Sequence, residues 1–256
     1  MNTSRMDPDR RSAILTGSFY IVGTLSGLVG LGVVLAPLMG ASDYLTAYGT
    51  METRVLIACL LSLLMGLSLV AMAVAVYPVL RKFSPSAAVA YLSARVVEGV
   101  IYIIGVVSML ALTELGKEYV ASGTADPARV ETLGGILVRV PEWTGHVVLD
   151  VAVFPIGALV LYWVFFRTGL VPRWLAGWGL ISAALYWAAG VLVMFHVITP
   201  LETPHVMLQA SMGLQEMVLA VWLIAKGFSA TAFASTASAD EASGRRHVLR
   251  PTHSPM

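Results

Sequence analysis

The sequence predicts an all-α polytopic membrane protein with six transmembrane helices and both termini in the cytoplasm. Hydrophobic residues make up 57% of the chain, charged residues only 12%, and the mean hydropathy is +0.80. A soluble domain carries about 25% charged residues, so this chain has too few to coat a soluble globule. Two further observations support the prediction: six long apolar segments, and an uneven distribution of cations between the loops.

Each apolar segment provides the roughly 20 residues that a helix needs to cross the hydrocarbon core. The segments are residues 13–35, 55–80, 87–113, 143–166, 174–198 and 206–226. The first follows Arg10 and Arg11, as a signal peptide would. Its apolar stretch is longer than the core of a signal peptide, and no clean small-x-small cleavage site follows. We therefore expect an uncleaved span.

The loops between the segments give the orientation. One side would carry eleven cations: Arg5, Arg10, Arg11, Arg81, Lys82, Arg167, Arg173, Lys226, Arg245, Arg246 and Arg250. The other side would carry at most four: Arg54, Lys117, Arg129 and Arg139. The positive-inside rule then places both termini in the cytoplasm, and we expect the bacterial inner membrane as the location.

Three regions follow from this topology: a cytoplasmic N-terminal segment (1–12), a six-helix transmembrane domain (13–228) and a disordered cytoplasmic tail (229–256). The tail is rich in Ser, Thr and Ala with scattered charge. Between spans three and four, Asp126 and Pro127 are typical of a helix N-cap and first helical position. We expect a short amphipathic helix on the outer surface, kinked or separated from span four at Pro141.

Several classes of function find no support in the sequence. The net charge of +1 gives no reason to expect a nucleic-acid partner, and the single cysteine, Cys59, excludes an intrachain disulfide. The chain has no G-x-S-x-G, P-loop or strand-following G-x-G-x-x-G motif. The expected partners are the lipid bilayer, a small-molecule or ion substrate and, as an option that the sequence does not require, a second copy in a homodimer.

Three ionisable residues lie near the predicted bilayer midplane. At 1.5 Å per residue, Arg95 and Glu98 lie roughly 12–16 Å inward along span three, and Glu216 lies about 15 Å inward along span six. Arg95 and Glu98 are spaced i, i+3 and share a helix face. A structural ion pair is one interpretation. The alternative is a functional centre, because two carboxylates against one guanidinium leave a charge that a proton or cation would balance.

A second polar group is predicted at the outer rim. His146 and Asp150 lie on one stripe of span four, His196 closes span five and His205 opens span six. Imidazole and carboxylate groups bind zinc and other divalent ions, so these four residues form a candidate metal site. No compact motif such as H-E-x-x-H is present, and interfacial histidines also occur simply as polar groups at headgroup level.

The chain to about Phe228 resembles the bacterial membrane-protein family called domain of unknown function 4386. The matching features are Arg11 with Gly17 and Tyr20; Tyr77-Pro-Val-Leu-Arg81 leading to Arg95-Val-Val-Glu98; Pro172-Arg-Trp-Leu175 with Gly179; and Gln215-Glu216 running to Trp222-Leu-Ile-Ala-Lys-Gly-Phe228. The resemblance implies an integral membrane protein of about six helices and brings no activity with it. It includes Arg95, Glu98 and Glu216 but not the outer histidines.

Three functions stay open at this point. The first is a small carrier that uses Arg95, Glu98 and Glu216 for a proton, an ion or an anionic group. The second is a membrane-embedded, metal-dependent enzyme that acts on a lipid or amphiphile at the outer leaflet. The third is a non-catalytic membrane partner or sensor that binds through the basic tail.

Overall fold

The protein is described from a computed structural model, which covers residues 7–35, 38, 43–122 and 127–234. Within these residues the chain is helical and no strand occurs, which confirms the all-α prediction. Asp126, the predicted N-cap, and residues 235–256 of the predicted tail lie outside the described residues.

The helices follow the predicted order of spans. The first half of the chain contains α1 (Pro8–Gly27), which continues as a π-helix (Leu28–Leu35), then α2 (Tyr44–Thr50), α3 (Glu52–Phe83) and α4 (Pro85–Ser122). The second half contains α5 (Pro127–Glu142), a second π-helix (Trp143–Val153), α6 (Phe154–Thr168), α7 (Arg173–Met194) and α8 (Thr203–Ala225).

Six helical stretches of the described chain are long and apolar enough to cross a membrane. They are Pro8–Leu35, Glu52–Phe83, Pro85–Ala121, Ala128–Thr168, Arg173–Met194 and Thr203–Ala225. Each overlaps one predicted segment, so the chain has the architecture of a multi-pass membrane protein. The fourth stretch is longer than predicted because α5 runs through Pro141 into the second π-helix without a break. The side of the membrane on which the termini lie stays a prediction.

The six spans form a closed ring. Each span packs against the next one in the sequence, and α8 returns to pack against α1. This closure brings the third and sixth spans to the same interior, although 118 positions separate Glu98 from Glu216. The interior of the ring is therefore where side chains from distant parts of the sequence meet.

One end of the ring carries Arg81 and Lys82 at the end of α3, Arg167 at the end of α6 and Arg173 at the start of α7, and is called the basic end below. Ser84 alone separates α3 from α4 there, and Gly169, with φ +70°, ends α6 in the left-handed conformation that glycine tolerates. The Arg10 guanidinium donates to the carbonyls of Leu223 and Ile224 at the end of α8. A cation at the C-terminus of a helix is favourable because the last carbonyl groups carry partial negative charge.

The opposite end, called the distal end, is covered by α2 and α5. Gly49 in α2 and Gly116 in α4 bring the two backbones so close that a side chain at either position would clash. The buried apolar residues form two clusters, a large one between the spans of the ring and a smaller one at the distal end. The smaller cluster includes Leu38, Leu45, Tyr48 and Val130.

The predicted tail begins with a short folded stretch. Residues 230–234 are helical, and the Phe233 ring lies 5.4 Å from the Phe83 ring at the end of α3. The Lys82 ammonium lies 5.0 Å above the same Phe233 ring. Disorder of residues 235–256 stays a prediction.

Candidate functional site

Arg95, Glu98 and Glu216, which are predicted near the bilayer midplane and are called the midplane centre below, join the third and sixth spans inside the ring. Arg95 Nη1 donates to Glu98 Oε2 at 2.6 Å, and Arg95 Nη2 lies 4.0 Å from Glu216 Oε1. The Arg95 side chain is 1% exposed, Glu98 3% and Glu216 12%. The predicted i, i+3 contact between Arg95 and Glu98 is present. The closure of the ring brings Glu216 to the other side of the same guanidinium group.

Aromatic groups enclose the guanidinium. Arg95 Nε donates to the Tyr91 hydroxyl at 3.2 Å, one helical turn away. The guanidinium carbon lies 5.3 Å from the Tyr91 ring and 5.2 Å from the Phe154 ring. These rings provide cation–π attraction to the guanidinium.

Neighbouring contacts orient α8 so that Glu216 faces Arg95. The Tyr162 hydroxyl donates to Gln215 Oε1 at 2.7 Å, and Gln215 Nε2 donates to the Leu175 carbonyl at 3.1 Å. Gly179 leaves room for the Tyr162 ring, which any side chain at that position would displace. Gln215 is thus tied to two other spans, and the next residue in the helix points towards the interior.

A second polar cluster lies on the fourth and sixth spans. Asp150 Oδ2 lies 3.7 Å from His146 Nδ1 and 3.9 Å from His205 Nε2, and accepts a 2.7 Å hydrogen bond from Gln209 Nε2. The imidazole rings of His146 and His205 meet edge to face at 5.1 Å. Asp150 and His205 are buried, and the π-helix Trp143–Val153 carries both His146 and Asp150. π-Helical segments are frequent at functional sites.

The hydrogen bonding of His205 fixes which of its nitrogens carries the proton. The Leu201 backbone N–H donates to His205 Nδ1 at 3.2 Å, so the lone pair of Nδ1 is already used. A neutral imidazole with an accepting Nδ1 carries its proton on Nε2, the nitrogen that faces Asp150. A metal-bound histidine usually has the reverse arrangement, in which the second nitrogen donates.

Two adjoining cavities connect the cluster to the midplane centre. One, of about 420 Å³, is lined by Arg95, Glu98, Glu216, His205 and Gln209, among others. The other, of about 270 Å³, is lined by His146, Asp150 and again Gln209. Seven residues line both cavities: Gly27, Met65, Tyr102, Leu149, Tyr186, Leu201 and Gln209. The two groups of charged side chains therefore face one continuous region of the ring interior.

Unsatisfied polar atoms concentrate at this region. Among the buried side-chain atoms that the structure describes, four lack a hydrogen-bond partner: Tyr20 Oη, Arg95 Nη2, His205 Nε2 and Glu216 Oε1. Three of the four belong to residues that line the larger cavity. Buried polar groups in folded proteins are almost always satisfied, so these atoms mark the place where a proton, water, ion or ligand would bind.

The predicted site residues thus separate into those that converge and one that does not. Arg95, Glu98 and Glu216 meet inside the ring, and the ligand atoms of His146, Asp150 and His205 lie within 4.8 Å of one another. His196 is exposed at the end of the fifth span and is not part of this cluster.

Two residues of the histidine cluster, Gln209 and Leu201, were not predicted from the sequence. Gln209 lies one helical turn after His205 and bonds Asp150 directly, so the i, i+4 spacing was the signal that would have identified it. Leu201 acts through its backbone N–H, for which no sequence signal exists.

A family model described as domain of unknown function (DUF4386) matches residues 15–227, which include all the converging residues. No curated protein and no solved structure matches the chain.

Proposed function

Since the chain belongs to the DUF4386 family, whose description names no activity, we propose from the site itself that it is a small carrier whose midplane centre binds and releases a proton. The observation that carries this proposal is the pair of unsatisfied atoms, Arg95 Nη2 and Glu216 Oε1, on the wall of the larger cavity. The two atoms lie 4.0 Å apart, which is beyond hydrogen-bond distance.

The charge balance supports a proton at this place. One guanidinium and two ionised carboxylates give a net charge of −1 among side chains that are only 1%, 3% and 12% exposed. An uncompensated buried charge costs several kcal/mol, so a proton or cation must join the three groups. Glu98 already accepts the 2.6 Å bond from Arg95, which leaves Glu216 as the carboxylate that takes and gives up the proton.

The polar cluster of His146, Asp150 and His205 supports a path for that proton towards the distal end. Asp150 stands between two imidazoles, and His205 Nε2 and Gln209 border the cavity that also contacts Glu216. Histidine changes its charge near neutral pH and commonly relays protons. Asp150, which lines the adjoining cavity between the two imidazoles, is the acceptor towards which a proton released by Glu216 would move.

The test is to measure the charge displaced by a pH jump across membranes that contain the purified protein. This measurement needs no knowledge of the transported substrate. We expect a transient current from the wild type and from Glu131→Gln, a control carboxylate on the exposed face of α5. We expect no such current from Glu216→Gln, and an undiminished current in that variant would refute the proposal.

One observation favours a second candidate, the metal-dependent enzyme. The ligand atoms of His146, Asp150 and His205 lie close enough for one ion, and His205 Nε2 is unsatisfied. For His205 to bind zinc through Nε2, its bond from Leu201 would have to break so that Nδ1 can carry the proton. Elemental analysis of the purified protein decides: stoichiometric zinc that disappears in His146→Ala/His205→Ala supports the enzyme, and metal-free protein refutes it.

A further inference from the structure

The larger cavity reaches the outer surface of the ring between the first and sixth spans. Leu28 of the first span and Val206 of the sixth both line this cavity, yet they are 66% and 48% exposed. Towards the basic end the same two spans touch, because a Cβ at Gly17 would lie 2.5 Å from the Ala220 carbonyl oxygen. The spans are thus in contact on one side of the midplane and leave an opening on the other.

The exposed side chains at this opening are apolar, so in a bilayer the opening faces acyl chains. Thr24 and Gly213 lie deeper along the same two helices and also line the cavity. A Cβ built at Gly213, about one helical turn before Glu216, meets no described atom within 4 Å, so this position of the sixth span borders open space. A molecule dissolved in the lipid could therefore reach Glu216 without crossing the bundle ends.

We propose that this opening admits a monovalent amphiphilic cation from the lipid, which binds at Glu216 in exchange for the proton. The proposal rests on the carrier function above and names the substrate class of the same site. Its first support is charge: Arg95, Glu98 and Glu216 together carry −1 when both acids are ionised, and a single positive charge neutralises them. An amphiphilic anion would raise the net charge to −2.

The second support is the lining of the cavity. Phe154, Tyr102 and Tyr186 contribute aromatic surface, and the Phe154 and Tyr186 rings lie 4.4 Å apart. Aromatic faces attract organic cations and pack well against their apolar groups. A cavity of about 420 Å³ is of the size that binds compact small molecules.

The exchange is balanced in charge and atoms. The protonated Glu216 carboxyl loses its proton, which leaves along the His205 side of the cavity, and the carboxylate then pairs with the entering cation. No covalent bond other than the O–H bond of the carboxyl changes, and the net charge of the site stays the same. Proton and cation therefore compete for one carboxylate.

The probes are tetraphenylphosphonium and tetraphenylborate, which match in shape and differ in the sign of their charge. Binding to purified protein in a neutral detergent is measured by isothermal titration calorimetry. We expect saturable binding of the cation, weakening as the pH is lowered, and no saturable binding of the borate. Stronger binding of the borate would overturn the proposal, because the cavity would then prefer anions or would recognise only the apolar shape of the probe.

Two variants test the place of binding. Glu216→Gln removes the charge, and Gly213→Leu fills the empty space while it leaves Glu216 intact; each should weaken cation binding by about tenfold or more, equal to about 1.4 kcal/mol. Glu131→Gln should bind as the wild type does. Unfolding midpoints measured beside the affinities show that the variants are folded, and unchanged affinity in folded Glu216→Gln would overturn the proposal.

The two proposals fail separately. A wild-type protein that shows the Glu216-dependent current after a pH jump but binds no tetraphenylphosphonium retains the proton centre and loses this substrate class. A protein that shows neither loses both.

Discussion

Arg95→Met should be the most damaging single substitution in the midplane centre. It removes the one cation that stands against two carboxylates, Glu98 at 2.6 Å and Glu216 at 4.0 Å. Removing one partner of a buried ion pair costs about 3–5 kcal/mol, because the other charge stays buried without compensation. We therefore expect the free energy of unfolding to fall by about that amount.

The two carboxylates should not be equivalent in the same experiment. Glu98→Gln removes the 2.6 Å charge-assisted bond but leaves Arg95 beside Glu216, so we expect a loss of about 1.5–3 kcal/mol. Glu216→Gln leaves the bonded pair Arg95–Glu98 intact and replaces a protonated, neutral carboxyl group by a neutral amide, so we expect a change within about 1 kcal/mol.

The assay is SDS titration of the purified protein in mixed micelles, followed by tryptophan fluorescence, with the free energy of unfolding extrapolated to zero SDS. Arg173→Gln, an exposed arginine at the basic end, is the matched control and should change it by less than about 0.5 kcal/mol. If Arg95→Met were no worse than this control, the guanidinium would not be buried between the two acids. A loss for Glu216→Gln as large as that for Arg95→Met would show that Glu216 is the principal structural partner.

Gly17→Ala should destabilise the protein by about 1–3 kcal/mol in the same assay, since its Cβ would lie 2.5 Å from a carbonyl oxygen of the sixth span, whereas Gly105→Ala, with open space, should be tolerated. Gly190→Ala would place a Cβ 2.7 Å from the Asp150 Cβ and so disturb the histidine cluster; faster histidine modification by diethyl pyrocarbonate is expected, and an unchanged rate would contradict it. The Thr46 side chain and then the Thr46 backbone N–H, which donates to Asp43 Oδ1 at 3.1 Å, lower the pKa of Asp43. The contribution of Asp43 to stability should therefore be present above the pKa of the unfolded chain and disappear as the pH falls through the lowered value. An NMR titration midpoint for Asp43 equal to that of an unfolded peptide would exclude this.

The spans and the first charged pair were predictable because both depend on position along one helix. Hydropathy over about 20 residues identifies a span, and the i, i+3 spacing of Arg95 and Glu98 places both side chains on one face. The same reasoning paired His146 with Asp150 across i, i+4. These contacts need no knowledge of how the helices are arranged.

Contacts between spans depend on how each helix is rotated about its own axis. The depth of a residue along its span does not give this rotation. His196 and His205 were predicted at the same rim, yet only His205 faces the interior. His196 lies beyond the last turn of α7, has φ +57° and is exposed, whereas His205 lies in the first turn of α8, where Leu201 N–H holds its ring. Arg95 and Glu216 were predicted at equal depth in the membrane. That prediction is compatible with their contact, but it does not imply that the ring closes and brings them together.

We propose that Glu216 carries the proton that neutralises the midplane centre. Infrared spectroscopy of the protein in lipid tests it most directly, because a protonated carboxyl has a C=O stretching band distinct from the bands of a carboxylate. We predict a carboxylic acid band at neutral pH in the wild type and in Glu131→Gln, and its loss in Glu216→Gln. A wild-type spectrum without the band, or an unchanged band in Glu216→Gln, would contradict the account.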